Sequence, residues 1–310
     1  MLPIRFPEGK PFDVVGLGEN SVDHLCVVPR FPGLSDKVRV TRYEMQGGGQ
    51  IANAMVACRR LGLRAKYIGK IGDDALGQVA LGELAREGVD TSGVRVQAGT
   101  ATRLSFILID AASGERTVVW DQDPRLSLAP AELTQAEIVC GRVLHLDATD
   151  VPASVQAARW ARAAGVPTCI DIDHVPPGAE ELIGLIDLCI MSEAVPRELS
   201  GETDRERALR AVRRWNQHGF LCVTLGSEGA LALLDGAAVH APAFAVQPVD
   251  TTACGDVFHG AFLYAALAGF DVPRALRFAN AAAALKTRAL GGRPGIPTRA
   301  EVEAFLATRP

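Results

Sequence analysis

Short apolar, β-branched runs alternate with alanine-rich stretches along nearly the whole chain, and this alternation limits the fold more than any other feature. The runs are DVVGLG near 13–18, AKYIGKIG at 65–72, RVLHLDA at 142–148, PTCIDID at 167–173, LCIMS at 188–192 and FLCVTLG at 220–226. Between them, IANAMVACRRLG (51–62), ALGQVALGELAREG (75–88), SVQAARWARAAG (154–165) and RERALRAVRRWNQHG (205–219) return apolar residues every three or four positions and end in glycine. That is the pattern of amphipathic helices with glycine stops. Strand and helix in repeated alternation predict βαβ units and a mostly parallel sheet, an α/β fold. Two segments break the rhythm, 26–46 and 100–123, where apolar residues alternate with period two and ASGE reads as a hairpin connection. They predict antiparallel strands forming a small accessory sheet or lid, over about 24–46 and 100–123. No tandem repeat, low-complexity run or charge block marks a linker, so the 310 residues read as one domain carrying that lid.

Hydrophobic residues at 48% and charged residues at 22% exclude a disordered chain. Lys plus Arg number 32 against 36 Asp plus Glu, a net charge of −4, which leaves no global basic field to attract nucleic acid or an anionic membrane. Any anionic ligand must therefore be held by local devices. No run of 18 apolar residues occurs and MLPIRFPEGKPFD lacks the apolar stretch of a signal peptide, so a cytoplasmic location is expected. The seven cysteines are odd in number, widely spaced and without a C-x-x-C, which argues against a zinc site or a disulfide framework.

Four motifs carry chemistry. GLGENS (16–21) follows a strand but lacks the third glycine and the following helix of a dinucleotide fingerprint. Just beyond it, Asp23 lies where open α/β sheets place ligands; it reads equally as a carboxylate for two adjacent polyol hydroxyls or as an Asx-turn residue. Gly47, Gly48 and Gly49 open the helix containing Asn53, and let the backbone approach a ligand at a helix start whose N–H groups are unpaired. The side chain of Asn53 both donates and accepts, which suits a sugar better than a phosphate. In VDTTACGDVFHGAF (249–262), Ala253, Cys254 and Gly255 enter a helix whose first turn holds Asp256. Backbone N–H groups at such a start suit charge developing on phosphate, and a carboxylate beside them can take a proton from an attacking hydroxyl. Thr224, Gly226 and Gly229 follow a strand end and read either as a phosphate loop or as a turn into the next strand.

In this order the motifs resemble the PfkB (ribokinase-like) carbohydrate kinase family over about 12–308. VDTTACGDVFHGAF is similar to that family's D-T-x-[GA]-[AC]-G-D signature, and GGGQIANA, followed by LGL and KIGDDALG, to its N-terminal one. The resemblance implies a three-layer fold, a mainly parallel central sheet flanked by helices, with a small β-sheet lid that closes over the sugar. It implies ATP and Mg2+ as cofactors and transfer of the γ-phosphoryl group to a hydroxyl of a monosaccharide or sugar acid. Asp256 is then the general base and the backbone of Ala253, Cys254 and Gly255 the anion hole. Asp23, Gly48, Gly49, Asn53 and Asp147 are implied sugar ligands. Thr224, Gly226 and Gly229 match the nucleotide loop, and Asn280 falls at the adenine pocket. Asp250 and Thr252, with the loop near ALGGRPG, fall where ribokinases bind a monovalent cation such as K+.

Three departures stand out. Ser192-Glu193-Ala194-Val195 replaces the family's N-x-x-E, leaving Glu193 as a candidate for Mg2+ through water. Ile51 stands where the N-terminal signature has a smaller residue. The lid carries Arg103, Arg116 and Arg125 beside Trp120, Asp121 and Asp123; Arg103 reads either as a partner for an anionic group on the sugar or as part of a lid salt bridge. Two other functions share these motifs, a nucleoside kinase of the same fold and a non-catalytic sugar or nucleotide sensor. An exposed lid sheet needs cover, so a homodimer through the lid is expected.

Overall fold

The computed structural model describes residues 4–309. In chain order it contains β1 (Phe12–Leu17), β2 (Ser21–Val28), β3 (Arg42–Gly48), α1 (Gln50–Arg60), β4 (Ala65–Gly72), α2 (Ala75–Arg86), β5 (Asp90–Gln97), β6 (Leu104–Asp110) and β7 (Arg116–Asp121). Next come α3 (Gln135–Ile138), β8 (Gly141–Asp147), α4 (Val151–Ala163), β9 (Thr168–Ile172), α5 (Ala179–Gly184), β10 (Leu188–Ser192), α6 (Ala194–Ser200) and α7 (Arg205–Ala211). The chain ends with β11 (Phe220–Thr224), β12 (Ala230–Leu234), β13 (Ala237–Ala241), α8 (Cys254–Leu267), α9 (Val272–Lys286) and α10 (Arg299–Ala307).

Nine strands form one sheet in the order β13-β12-β11-β10-β9-β8-β1-β4-β5. From β11 to β5 every pairing is parallel, and only β12 and β13 add antiparallel neighbours at one edge. The helix starts follow local chemistry: Asp74, Asp204 and Asp271 cap α2, α7 and α9 by accepting from the N–H three residues on. On one face Met55 of α1, Phe262 of α8, Phe278 of α9 and Phe305 of α10 share a core with Val14 and Cys222 of the sheet. On the other face Val155 of α4, Leu182 of α5 and Leu209 of α7 pack on Leu144 and Ile170. Each such aromatic or aliphatic side chain stabilises the fold by about 1.5–3 kcal/mol when buried. The three-layer, mainly parallel α/β expectation is met.

The second sheet runs β3-β2-β6-β7. Its outer pairs are antiparallel, but the central β2–β6 pair is parallel, which corrects the expectation of antiparallel strands throughout. The reason is topological. β2 leaves the body directly after β1 and β6 directly after β5; these two body strands point the same way, so their extensions do too. The strands also begin earlier than expected, at Ser21, and 29–41 holds none, so Asp23 lies within β2 rather than in a loop. Leu25, Ile107 and Ile109 face the body and pack with Leu290. Tyr43, Met45, Phe106 and Val119 remain exposed on the lid. β1 lies between β8 and β4, where the strand order reverses, so the crevice beyond the ends of β1, β8 and β9 is the natural ligand site of such a sheet. Among the described residues no helix is long and apolar enough to cross a membrane.

Candidate active site

The two glycine-containing motifs meet at the packed starts of α1 and α8. A Cβ on Gly260 would lie 2.7 Å from the Ala57 Cβ and 2.8 Å from the Ala54 carbonyl oxygen, so glycine is what lets α8 touch α1. With the helices this close, Asn53 Nδ2 donates to Asp256 Oδ2 at 2.8 Å. The Oδ1 of Asn53 in turn accepts from Arg293 Nε at 3.1 Å. Arg293 is only 3% exposed and also donates to Glu83 Oε2 and to the Gly48 carbonyl, both at 3.1 Å. Glu83 Oε2 accepts in addition from the Gly47 N–H at 2.8 Å. A buried guanidinium is tolerable because its donors are met and a carboxylate faces it. This chain of contacts pins the triple-glycine loop, Asn53 and Asp256 to one another.

Asp23 is buried against the same loop: a Cβ on Gly48 would come within 2.1 Å of its Oδ2. Its Oδ1 accepts from Ser21 Oγ at 2.8 Å, and burial pushes the carboxyl up to about 6. A Cβ on Gly49 would lie 2.5 Å from the Asn20 Cα, so each of these glycines answers to a close neighbour.

α8 starts differently. Ala253 takes a left-handed conformation at φ 63, rare for a residue with a Cβ, and turns the chain sharply into the helix. The Cys254 N–H reaches the Thr251 carbonyl only at 3.4 Å, and among the described residues the N–H groups of Gly255 and Asp256 have no partner. Nothing lies within 4 Å of a Cβ placed on Gly255. Free amides at the positive end of a helix, facing open space, can receive an oxyanion. Beside them burial, and then the neighbouring Asp171 carboxylate, push Asp256 up to about 7, while the Asn53 donation opposes the shift. Below Asp256, His259 Nε2 lies 3.2 Å from Asp171 Oδ1.

Between lid and body opens a cavity of about 660 Å³. Arg103, Ser105, Trp120 and Gln122 line it from the lid, and Glu19, Gln50, Thr149 and Asp173 from the body. Arg103 pairs with Glu19 at 3.1 Å, donates to Gln122 Oε1 at 2.8 Å and lies 4.2 Å over the Trp120 ring. Burial pushes Glu19 up to about 8 against the pull of Arg103. Of the sugar ligands implied by the resemblance, Gly48, Gly49, Asn53 and Asp23 pack together next to Gln50 and Ser105, which do line the cavity, but are not lining residues themselves. Arg103, singled out as a departure in the lid, lines the wall. Asp147 is a correction. It is fully buried, and its oxygens accept from the Glu19 N–H at 2.6 Å and the Thr149 N–H at 2.9 Å. It holds up the Glu19 turn instead of facing the cavity.

On the other side of the sheet Thr224 ends β11, and a single 3-10 turn over Gly226–Glu228 leads to Gly229 at φ 100. A Cβ on Gly229 would lie 2.1 Å from the Ala241 carbonyl oxygen. Asn280 donates to that same carbonyl at 2.9 Å and to Pro242 O at 3.2 Å, so its amide N–H groups hold the loop after β13 instead of reaching outward. Glu193 is a further correction: its carboxylate pairs with Arg197 at 2.8 Å and Arg205 at 2.5 Å, and Arg205 also holds Glu228. It does not fit as a holder of Mg2+. Asp250 and Thr252 do not fit a monovalent cation either. Asp250 Oδ1 accepts from the Thr252 N–H and Oγ1 at 2.8 and 2.7 Å, and Oδ2 from the Gly291 N–H at 2.7 Å. The Asp250 carbonyl accepts from Lys286 Nζ at 3.1 Å.

Sequence reading passed over Glu19, Glu83, Lys286 and Arg293. Glu19 stands inside GLGENS directly after a strand, and Lys286 interrupts the apolar register of AAAALKTR, so both left a signal. Arg293 sits inside the ALGGRPG loop but nothing in the sequence points to its partners, and Glu83 left no signal.

The pfkB family carbohydrate kinase model matches residues 12–299. The chain is 31% identical over 298 residues to a ribokinase of Haemophilus influenzae, covering 94% of this chain and 97% of that one. It is 26% identical to 5-dehydro-2-deoxygluconokinase 1 of Bacillus cereus, over 99% of this chain and 98% of the relative. Its fold superposes on the crystal structure of a protein of Agrobacterium tumefaciens assigned as a ribokinase with a TM-score of 0.89, at 32% identity, covering 96% and 98% of the two chains.

Proposed function

Since the chain belongs to the pfkB family of carbohydrate kinases, we propose that it transfers the γ-phosphoryl group of ATP to a hydroxyl of a monosaccharide or sugar acid, with Asp256 as general base. The observation that carries this reading is the 2.8 Å bond from Asn53 to Asp256, which fixes a carboxylate of raised pKa at a helix start whose amides are free. The sugar occupies the cavity under the lid, so that water is excluded when the lid closes. Asn53 occupies Oδ2 of Asp256 and leaves Oδ1 to take the proton of the attacking hydroxyl. The Ala253–Cys254–Gly255 backbone receives the oxygens of the transferring phosphoryl group.

Thr224, Gly226 and Gly229 line the path of the nucleotide phosphates, and Asn280 shapes the wall beside the base. Magnesium, where bound with ATP, would supply charge neutralisation to the transferring phosphoryl group. Because Glu193 is committed to two arginines, no step is assigned to that residue. The relatives named above act, by their names, on ribose-type sugars and on a sugar acid, which supports this substrate range. A nucleoside is a poorer fit, because the Trp120 face available for stacking a base is covered by Arg103. The apolar outer face of the lid, with Tyr43, Met45 and Phe106 exposed, supports a homodimer through the lid, which light scattering of the purified chain tests.

ADP release over a panel of sugars, sugar acids and nucleosides identifies the acceptor. With that acceptor, Asp256→Asn is expected to lower turnover by about 10²–10⁴, the range for losing a general base; survival to within about tenfold rules Asp256 out. In the wild type kcat/KM is expected to fall as pH drops through about 7, because the base must be deprotonated to act.

A further inference from the structure

Lys286 is the last residue of α9, and none of its side chain reaches solvent. Lysine is rarely buried in this way without a specific partner. Its Nζ donates to the carbonyl of Asp250, on the stretch 249–252 that feeds the Ala253 turn and the start of α8. The Val249 and Asp250 N–H groups are stapled to the Thr287 carbonyl at 2.7 and 3.2 Å, so this stretch and the end of α9 move as one piece. The ammonium is thus fixed to the stretch that leads into the start of α8. Burial draws it below the ordinary lysine value; Cys254, Asp250 and Asp256 counter that, and Arg116, which reaches Thr251 Oγ1 from the lid at 3.3 Å, adds to it.

A potassium ion bound here would need a cage of oxygen atoms. The Asp250 carboxylate already has three donors, the Thr252 hydroxyl is spent on it, and the Asp250 carbonyl is taken by the ammonium. An ammonium group is close to potassium in size and charge, and on a side chain it is present whatever the surrounding salt. We propose that Lys286 is a tethered monovalent cation, its ammonium standing against the Asp250 carbonyl where a free ion would otherwise stand, so that this chain needs no added monovalent cation. The catalytic part of this inference rests on the phosphotransferase reading; the occupancy part rests on the contacts of Lys286 alone.

Two measurements on the full chain keep these parts apart. In the first, melting is followed in KCl, NaCl and tetramethylammonium chloride at equal ionic strength. The wild type is expected to melt at one temperature in all three, and stabilisation specific to potassium overturns the proposal even if no acceptor sugar is ever found. In the second, ADP formation is followed in the same salts. Wild-type kcat/KM is expected to agree within about twofold, and activation by potassium of more than about tenfold overturns the proposal. Lys286→Ala is expected to lose at least about tenfold in tetramethylammonium and to recover part of it in potassium or ammonium, a rescue that a merely structural lysine would not show. A folded variant that keeps its activity, or one whose loss no cation relieves, overturns it; if the variant does not fold, the wild-type melting and kinetic series decide. Absence of turnover with every acceptor counts against the kinase reading, leaving the melting result to judge Lys286.

Discussion

The starts of α1 and α8 are both built from small residues, yet their glycines serve opposite ends. At α1 a Cβ would strike Arg293 Nη1 from Gly47, Asp23 Oδ2 from Gly48 and the Asn20 backbone from Gly49, each within 2.5 Å. At α8 a Cβ on Gly255 would meet nothing within 4 Å. The first helix start is glycine-rich because charged side chains and backbone crowd it; at the second, the space beside the glycine is open. One is held rigid by its neighbours, and the other leaves amides free to receive a ligand. The contrast shows that a string of small residues before a helix has two physical meanings, separated by what a methyl group there would touch.

Three changes probe the contrast, in falling order of effect. Gly48→Ala forces the Asp23 carboxylate aside and is expected to cost about 1–3 kcal/mol, the range for overpacking, seen as a fall of several degrees in melting temperature. Gly255→Ala is expected to leave melting within about a degree, since surface and open positions are near neutral, while kcat drops about tenfold as the methyl enters the phosphoryl space. A destabilised Gly255→Ala or a fully stable Gly48→Ala would erase the distinction.

The third is a pH effect from the buried carboxyl groups around these helix starts. Burial raises Asp147 and Asp256 to about 7 and Glu19 to about 8, so between their ordinary values and these the folded chain holds more protons than the unfolded one. Stability from these groups therefore declines as pH rises. Below about 6.5, His259, lowered to about 4 by burial, works in the opposite sense, which leaves 6.5 to 8 as the window for the decline. Melting of the ligand-free chain should fall across it; a rise would show that the raised carboxyl groups are not what burial makes them.

The α/β body was legible because the periodicity that predicts strands and helices is local, and so was the grouping of Gly255 with Asp256 on one helix turn. The parallel β2–β6 pair was not, since it depends on the direction in which two distant body strands end. Asp147 is a sugar ligand only by the resemblance; in the structure its two oxygens accept from the Glu19 and Thr149 N–H groups, contacts that a sequence pattern does not show. Glu193 suggested a metal position until Arg197 and Arg205 were seen to hold it. Arg293 was invisible because its meaning lies in Asn53 and Glu83, 240 and 210 positions away.

Those same separations bear on how the protein is made. Asn53 and Asp256 lie 203 positions apart, and Arg293 emerges later still. Closing such long loops is slow, and nothing short of it brings Asp256, Asn53 and Arg293 together. A nascent or prematurely ended chain therefore carries the lid and the triple-glycine loop but no assembled centre. The contacts among Asn53, Asp256 and Arg293 need α8 and the loop after α9 docked onto α1, so they can form only once nearly the whole chain has been made.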